Sequence, residues 1–361
     1  MSSSSPKSQA PSPKPSAFAK ATADRQDPGP WVAFLDGLMR VKRAPWLVIG
    51  LWFATVVVAL PFAMMLQVLI GDHLGASLAA QSAADSVNFD WWNEFLAQTS
   101  GVGVSFVPAI LGFAAVMKNL STIADGTPLP ATVAIAVSAH MVVSLFLIGG
   151  IMDRLARDHA IGAGAFFSAC GVYAVRFLRL AIIATAVYWV LLVPYHELLF
   201  DELYPALVEG VTLERTAVFY RAGLYLLFLA PLLVANLIID YAKVRAVVED
   251  RRSMIGALVA GWRFVRRNPG AAMALYALDA LLFLVVIGVY FLAAPGATAN
   301  ALAFAVGQLY IVLRVIVRLQ FAASQIALFQ GRLAHAGYVA RPVPTWPDSP
   351  AAEALGPQAT D

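Results

Sequence analysis

The stretch WLVIGLWFATVVVALPFAMMLQVL, residues 46–69, decides the fold class of this chain because it contains no charged side chain. About 20 consecutive apolar residues are enough to cross the hydrocarbon core of a bilayer as a helix. The run is too long for a cleaved signal peptide and begins too far along the chain. It therefore predicts a retained membrane-spanning helix.

Five more runs have a similar length and character. Of the 361 residues, 60% are apolar and 13% are charged, whereas soluble domains hold about 45–50% apolar and about 25% charged residues. The composition and the runs together predict an all-α integral membrane protein with six transmembrane helices. The five further spans are expected at residues 131–151, 177–194, 218–242, 270–293 and 301–327.

The two ends of the chain differ from the part between them. Residues 1–30 are rich in Ser, Pro, Ala and Lys and show no apolar periodicity, so a disordered tail is expected there. A second disordered tail is expected at 336–361. Residues 31–335 are expected to form one polytopic helical membrane domain.

Basic residues predict how the spans are oriented. With six spans, 20 of the 25 Lys and Arg fall in tails and loops on one side, which the positive-inside rule assigns to the cytoplasm. Both termini are then cytoplasmic. A seventh apolar run, residues 102–117, contains Pro108 and would reverse every later loop if it crossed the membrane. We therefore expect a short re-entrant or surface helix there.

Two segments of the chain resemble each other. GAFFSACGVYAVR, residues 164–176, and GALVAGWRFVR, residues 256–266, each follow a span and a basic linker, and each precedes another span. Residues 131–194 and 218–293 thus predict an approximate internal repeat. In each unit we expect a separate cytoplasmic amphipathic helix lying at the membrane interface.

The second of these helices has the clearer helical spacing. Its arginines lie largely off the apolar stripe, so the helix could lie in the headgroup region with its apolar face toward the acyl chains. Anionic lipid headgroups are the expected partner of the arginines. The stripe comprises Met254, Ile255, Leu258, Val259, Trp262 and Val265, and the candidate lipid contacts are Arg252, Arg263, Arg266 and Arg267.

A few ionisable side chains fall inside the spans and form a candidate intramembrane polar site. Asp279 and Arg318 lie at similar depths in two consecutive antiparallel spans, with Arg314 one turn from Arg318. A charge within a span costs at least about 2.5–3.5 kcal/mol on insertion scales. Asp279 could therefore form a structural ion pair with either arginine, or take part in substrate or proton handling, or the arginines could snorkel. His140 in the second span is a further candidate, for a proton relay or for an interhelical hydrogen bond.

Motifs for several enzyme classes are missing from the sequence. Phosphate loops, dinucleotide fingerprints, HExxH, serine-elbow and kinase signatures do not occur. No catalytic residue, metal site or cofactor is therefore expected. The near balance of 25 basic and 22 acidic residues does not favour a nucleic-acid partner.

The two repeated segments carry a resemblance over about residues 31–335. With residues 164–179 and 256–267 laid side by side, the chain resembles bacterial polytopic inner-membrane proteins without a known activity. It is also similar to the membrane domain attached to some glycerophosphodiester phosphodiesterases. The soluble segments here are too short for a phosphodiesterase domain, so the resemblance implies architecture and an inner-membrane location, with no catalytic residue.

Two functional hypotheses follow from these patterns. The first is a non-enzymatic membrane protein of the inner membrane, acting as an envelope or lipid-associated organiser or as a partner of another membrane protein. The alternative is a secondary transporter or channel that uses the intramembrane Asp/Arg pair. A dry environment around Asp279 would favour the first hypothesis, and a wet cavity connected to it would favour the second.

Overall fold

Long helices dominate the architecture. The structure, a computed structural model, describes residues 29–75, 77–85, 88–106, 112–126, 131–157, 159–294 and 300–334. The tails expected at the two ends fall almost wholly outside these ranges. Within them the α-helices are α1 (Pro30–Lys42), α2 (Pro45–Leu74), α3 (Ala80–Asp85), α4 (Phe89–Gln98), α5 (Gly112–Ala124), α6 (Ala131–Arg157), α7 (Ala163–Leu192), α8 (Pro194–Glu197), α9 (Tyr204–Val208), α10 (Glu214–Val248), α11 (Met254–Arg267), α12 (Pro269–Ala293) and α13 (Asn300–Ala334).

Six of these helices, α2, α6, α7, α10, α12 and α13, are long and apolar enough to cross a membrane. The chain is an all-α polytopic membrane protein, as the apolar runs predict. Its outer surface fits this conclusion, because no residue of α2 is buried and Trp46 and Leu292 are 81% and 84% exposed. Such apolar surface is stable against acyl chains rather than water.

The described residues of the run at 102–117 form no helix long enough to cross a membrane. They are divided between a 3₁₀ turn, Gly101–Ser105, and the first half of α5. Helix α5 has 13 residues, too few to cross the hydrocarbon core, and its Val116 packs against a cluster on α12 and α13. Pro108 lies outside the described residues. The prediction of six spans is thereby confirmed.

Arginine contacts gather the helix ends at one end of the bundle, here named the basic end. Arg40 Nη1 donates to the carbonyl of Leu155 (3.0 Å), and Arg154 Nη2 donates to the carbonyl of Arg43 (2.9 Å). These bonds join α1 and Arg43, the residue that follows it, to the end of α6. The guanidinium groups satisfy helix-terminal carbonyls that have no partner within their own helix.

Helix α1 is an element that the apolar runs do not predict. It begins at Pro30, a favourable first helical residue because its missing N–H is not needed there. Its buried face packs against α13: Gln320 Nε2 donates to the carbonyl of Phe34 (2.9 Å). A Cβ on Gly37 would lie 2.8 Å from the backbone nitrogen of Ser324. The two backbones therefore approach too closely for any larger residue at position 37.

The two predicted interfacial helices have different outcomes. Residues 164–176 are continuous with the following span in α7, so the expected separate helix is wrong in the first unit. In the second unit α11 is separate, since Asn268 interrupts the helix before Pro269. A residue before proline avoids the α conformation, and residues 164–192 contain no proline to impose such a break.

The close approach at Gly37 predicts that Gly37→Ala destabilises the protein by about 1–3 kcal/mol, because the added methyl group meets helix backbone. Gly50→Ala in α2 is the matched control, since a Cβ there meets nothing within 4 Å. It should be neutral or stabilising by up to about 1 kcal/mol through helix propensity. Denaturant unfolding in micelles, followed by circular dichroism, measures both. Equal effects of the two changes would contradict the tight α1–α13 contact.

Candidate functional site

Asp279 is the one acidic residue of the predicted polar site, and it is fully buried. Its side chain is 0% exposed, and Ser324 Oγ donates to its Oδ2 at 2.6 Å. Ser324 lies on α13, at the position where Gly37 of α1 approaches the same helix. The carboxyl group therefore links α12 to α13 inside a packed core, and this burial favours a structural role.

The expected pair of Asp279 with Arg314 or Arg318 does not form. No ion pair joins Asp279 to either arginine among the described residues. Helix α13 continues to Ala334, seven residues beyond the predicted end at 327, so Arg318 lies deeper in the bundle than Asp279. It is six residues from Ser324, which turns it about 120° around the helix from the Asp279 contact.

The arginines instead line a second feature, here named the intramembrane cleft. This cavity of about 720 Å³ lies between α2, α6, α10, α12 and α13. His140, Arg314 and Arg318 line it, while Asp279 does not. The structure thus brings together three of the four predicted residues and places the fourth elsewhere. The remaining polar side chains of its lining are Thr55, Ser144, Asp240, Lys243 and Gln325.

Contacts at one end of the cleft fix the protonation of His140. Arg318 Nη1 donates to His140 Nε2 at 3.3 Å. Since a guanidinium has no acceptor, Nε2 must offer a lone pair, which requires a neutral imidazole. Arg314 lies over the ring of Tyr310, 5.7 Å from its centroid. His140 therefore acts as a hydrogen-bond acceptor for an arginine, rather than as a charged group.

The other end of the cleft carries a compensated pair. Lys243 Nζ lies 2.5 Å from Asp240 Oδ1, and Gln325 Nε2 donates to Asp240 Oδ2 at 3.4 Å. Arg314 and Gln325 are eleven residues apart on α13, so the cleft extends about 17 Å along that helix. One end is thus neutralised, and the other carries two arginines.

A third feature, here named the arginine groove, lies at the basic end. It is a cavity of about 710 Å³ between α10, α11 and α13. Its apolar wall includes Val259, Phe264, Phe329 and Leu333. Five guanidinium groups from these helices and the adjoining turn converge on it: Arg245, Arg251, Arg263, Arg267 and Arg332.

Among the described residues, the carboxylate of Glu249 forms ion pairs with two arginines of the groove. Arg245 Nη2 lies 2.6 Å from Glu249 Oε1, and Arg251 donates to the other carboxylate oxygen of Glu249. Burial alone would raise the pKa of Glu249, but the hydrogen bonds from Arg245 and Arg251 outweigh it and hold the pKa below its usual value. Glu249 therefore stays ionised at neutral pH and compensates one of the five positive charges.

The remaining arginines of the groove differ in their contacts. Arg332 donates to the side chain of Asn268, the residue that ends α11. Arg263 and Arg267 are exposed, and neither forms an ion pair within the described part of the chain. These two are predicted lipid contacts. The other two predicted contacts, Arg252 and Arg266, are exposed on α11 or just before it and do not line the groove.

Helix α11 is fixed to the bundle by a face that differs from the predicted apolar stripe. Small residues mediate the contact, since a Cβ on Gly261 would lie 2.9 Å from the carbonyl oxygen of Ile238 in α10. Met254 and Val265 are buried, whereas Ile255 is 68% exposed and Trp262 is 43% exposed. The stripe is therefore divided between protein contact and outer surface.

Sequence inspection missed three of the five arginines that line the groove. Arg245, Arg251 and Arg332 lie in a span end, a linker and the last helix, and their separation in sequence gives no signal that they meet. The sequence signal that exists is the basic excess in residues 243–268.

No protein-family model, curated protein or solved structure matches this chain, so the resemblance stated above stays a prediction.

The hydrogen bond to Asp279 predicts that Ser324→Ala costs about 1–3 kcal/mol, because a buried carboxyl group loses a donor. In a double-mutant cycle, Asp279→Asn and Ser324→Ala should couple by at least about 0.5 kcal/mol. Asp279→Asn and Arg318→Gln should be additive within about 0.5 kcal/mol. Unfolding free energies in micelles give all three values. Strong coupling of Asp279 to Arg318 would restore the ion-pair hypothesis.

Proposed function

We propose that this protein is a non-enzymatic, lipid-associated organiser of a bacterial inner membrane that holds anionic lipid headgroups in the arginine groove. The observation that carries the proposal is the convergence of five arginines on one cavity, two of which, Arg263 and Arg267, are exposed and form no ion pair among the described residues. Guanidinium groups bind phosphate oxygens through paired hydrogen bonds. A phosphate in the groove would relieve the repulsion between Arg263 and Arg267.

The position of the groove supports a lipid rather than a soluble ligand. Its arginines lie at the ends of the spans α10 and α13 and on α11, and its wall includes apolar side chains. Basic pockets between spans at the cytoplasmic side are suited to phosphate-bearing lipid headgroups. In the proposed orientation the basic end and both termini face the cytoplasm, in agreement with the positive-inside rule.

The exposed residues of α11 support the same ligand. Ile255 and Trp262 remain on the outer surface next to the groove, where acyl chains can cover them. A headgroup bound by Arg263 and Arg267 would therefore keep its chains in contact with apolar protein surface.

The transporter hypothesis loses one of its features. It used a pair between Asp279 and an arginine, and Asp279 is packed against Ser324 instead. The burial of this carboxyl group favours the organising role.

Lipid binding by the groove can be tested with two matched double variants. Arg263→Gln/Arg267→Gln should weaken binding of cardiolipin by about 2 kcal/mol, or about 30-fold, since each arginine near a phosphate contributes about 1 kcal/mol. Affinity can be measured by native mass spectrometry of the protein released from micelles, with phosphatidylcholine as the neutral lipid.

Arg252→Gln/Arg266→Gln is the control, because it removes the same charge from the same region without touching the groove. We expect less than about a threefold change from it, since two charges outside the groove act only through weak long-range electrostatics. Equal losses of cardiolipin affinity in the two variants would show that general surface charge, and not the groove, accounts for binding. No preference of the wild type for cardiolipin over phosphatidylcholine would contradict the proposal altogether.

The pKa of Glu249 predicts how binding depends on pH. A lowered pKa means that the Glu249 ion pairs stabilise the protein above the unfolded pKa of about 4.3, and that this stability is lost as pH falls through the folded value.

From pH 5 to 8 the groove keeps its charge. Phosphatidic acid, whose phosphomonoester loses a proton near pH 6, should bind several-fold more tightly at pH 8. Cardiolipin should change by less than about twofold. A steep change for cardiolipin would show that the groove itself titrates.

A further inference from the structure

The intramembrane cleft contains positive charge that no described residue compensates. Its lining carries three cationic side chains, Lys243, Arg314 and Arg318, against one carboxylate, Asp240. Lys243 already pairs with that carboxylate at 2.5 Å. Neither Arg314 nor Arg318 forms an ion pair within the described residues.

The depth of these arginines makes the imbalance costly. Arg332 bonds to Asn268 at the start of α12, which marks the level of the basic end on α13. Arg318 lies fourteen residues before Arg332, or about 21 Å toward the opposite end. In a hydrocarbon core about 30 Å thick this position lies inside the core, with about 9 Å left to its opposite surface. An arginine there needs water, a polar partner or a counter-ion.

The neutral partners around the arginines leave hydrogen-bond donors available. His140 accepts one bond from Arg318, and Tyr310 offers Arg314 the face of its ring. A guanidinium has five N–H donors, so each arginine retains donors for a further acceptor. Both side chains are exposed and line the same cavity. An oxyanion between them would receive charge-assisted hydrogen bonds from two directions.

The apolar part of the lining indicates that most of the ligand is apolar. Apolar side chains from α2, α6, α12 and α13 form most of the wall, including Leu51, Ile148, Met152, Phe283 and Ile311. The volume of about 720 Å³ is that of a site for one small organic molecule. A cavity with apolar walls and two arginines at one end is complementary to a molecule with an apolar body and one anionic group.

We infer that the intramembrane cleft binds an amphiphilic organic anion, with its carboxylate or phosphate held by Arg314 and Arg318. His140 is a positioning residue, since it fixes the Arg318 guanidinium through a hydrogen bond. The compensated Asp240–Lys243 pair ends the cleft on the other side. This site shares no lining residue with the arginine groove, so it stands independently of the proposed function.

A photo-crosslinking experiment tests the site directly. The full-length protein is placed in nanodiscs of phosphatidylcholine and exposed to a diazirine-bearing fatty acid, with the matching fatty alcohol as the uncharged probe. We expect the acid to label peptides of α6, α12 and α13 that line the cleft at least tenfold more than the alcohol does. Equal labelling by acid and alcohol, or no labelling of these peptides, would overturn the inference.

Variants connect the labelling to the arginines. Arg314→Gln/Arg318→Gln should lower labelling by the acid at least tenfold, and Arg318→Lys should retain part of it because the positive charge remains. Arg221→Gln is the control, since Arg221 lies in α10 and bonds to Tyr225 at 3.2 Å, away from the cleft. Thermal unfolding of each variant in the same nanodiscs establishes that it is folded. A decrease with Arg221→Gln equal to that of the double variant would contradict the assignment.

Two competition arms identify the source of the anion. Dodecyl phosphate added to the aqueous phase should suppress labelling if the cleft takes a free amphiphile. Nanodiscs containing phosphatidylglycerol should suppress labelling if a bilayer lipid supplies the phosphate. Suppression in either arm supports the anion site, whereas labelling that resists both phosphates would overturn it.

Discussion

Ser324 is the point at which three helices of this protein are held together. Its hydroxyl donates to Asp279 on α12, and its backbone lies against Gly37 on α1. One residue of α13 thus fixes a polar contact on one side and a close backbone approach on the other. The hydrophobic effect gives little guidance for packing between helices inside a bilayer, so small residues and buried hydrogen bonds determine which faces meet. This contact fixes α13 against α1 and α12, and α13 lines both cavities.

The two cavities place arginines in different surroundings and therefore suit different ligands. In the arginine groove, Glu249 compensates part of the charge and the site lies at span ends, where headgroups are close. In the intramembrane cleft, Asp240 compensates Lys243 alone and the arginines lie deep in the bundle. Both cavities are partly built by α13, whose 35 residues extend from one cavity to the other.

Sequence inspection correctly predicted features that depend on short-range patterns. The six spans were predictable because a long apolar run has one stable form in a bilayer, the helix, whose backbone groups bond internally. Arg318, His140 and Asp279 were recognisable as candidates because charge or polarity in such a run is costly. Their partners were not predictable, since the pairing of Asp279 depended on where α13 ends and on which face it turns toward α12. Residues 328–334 extend α13 beyond its predicted end, so the residues of α13 that lie level with Asp279 differ from those predicted.

The sequence by itself determined that the chain is a six-span helical membrane protein with most of its basic residues outside the apolar runs, because hydrocarbon excludes charge regardless of how helices pack. Only the tertiary structure decided which charges meet. Helix α1 was missed because 13 residues are too few to stand out as a span, and its position depends on a glycine contact with a distant helix. The arginine groove gathers residues from 245 to 332, and the cleft separates Arg318 from Asp279. Both outcomes depend on helix rotation and length, which packing between helices fixes.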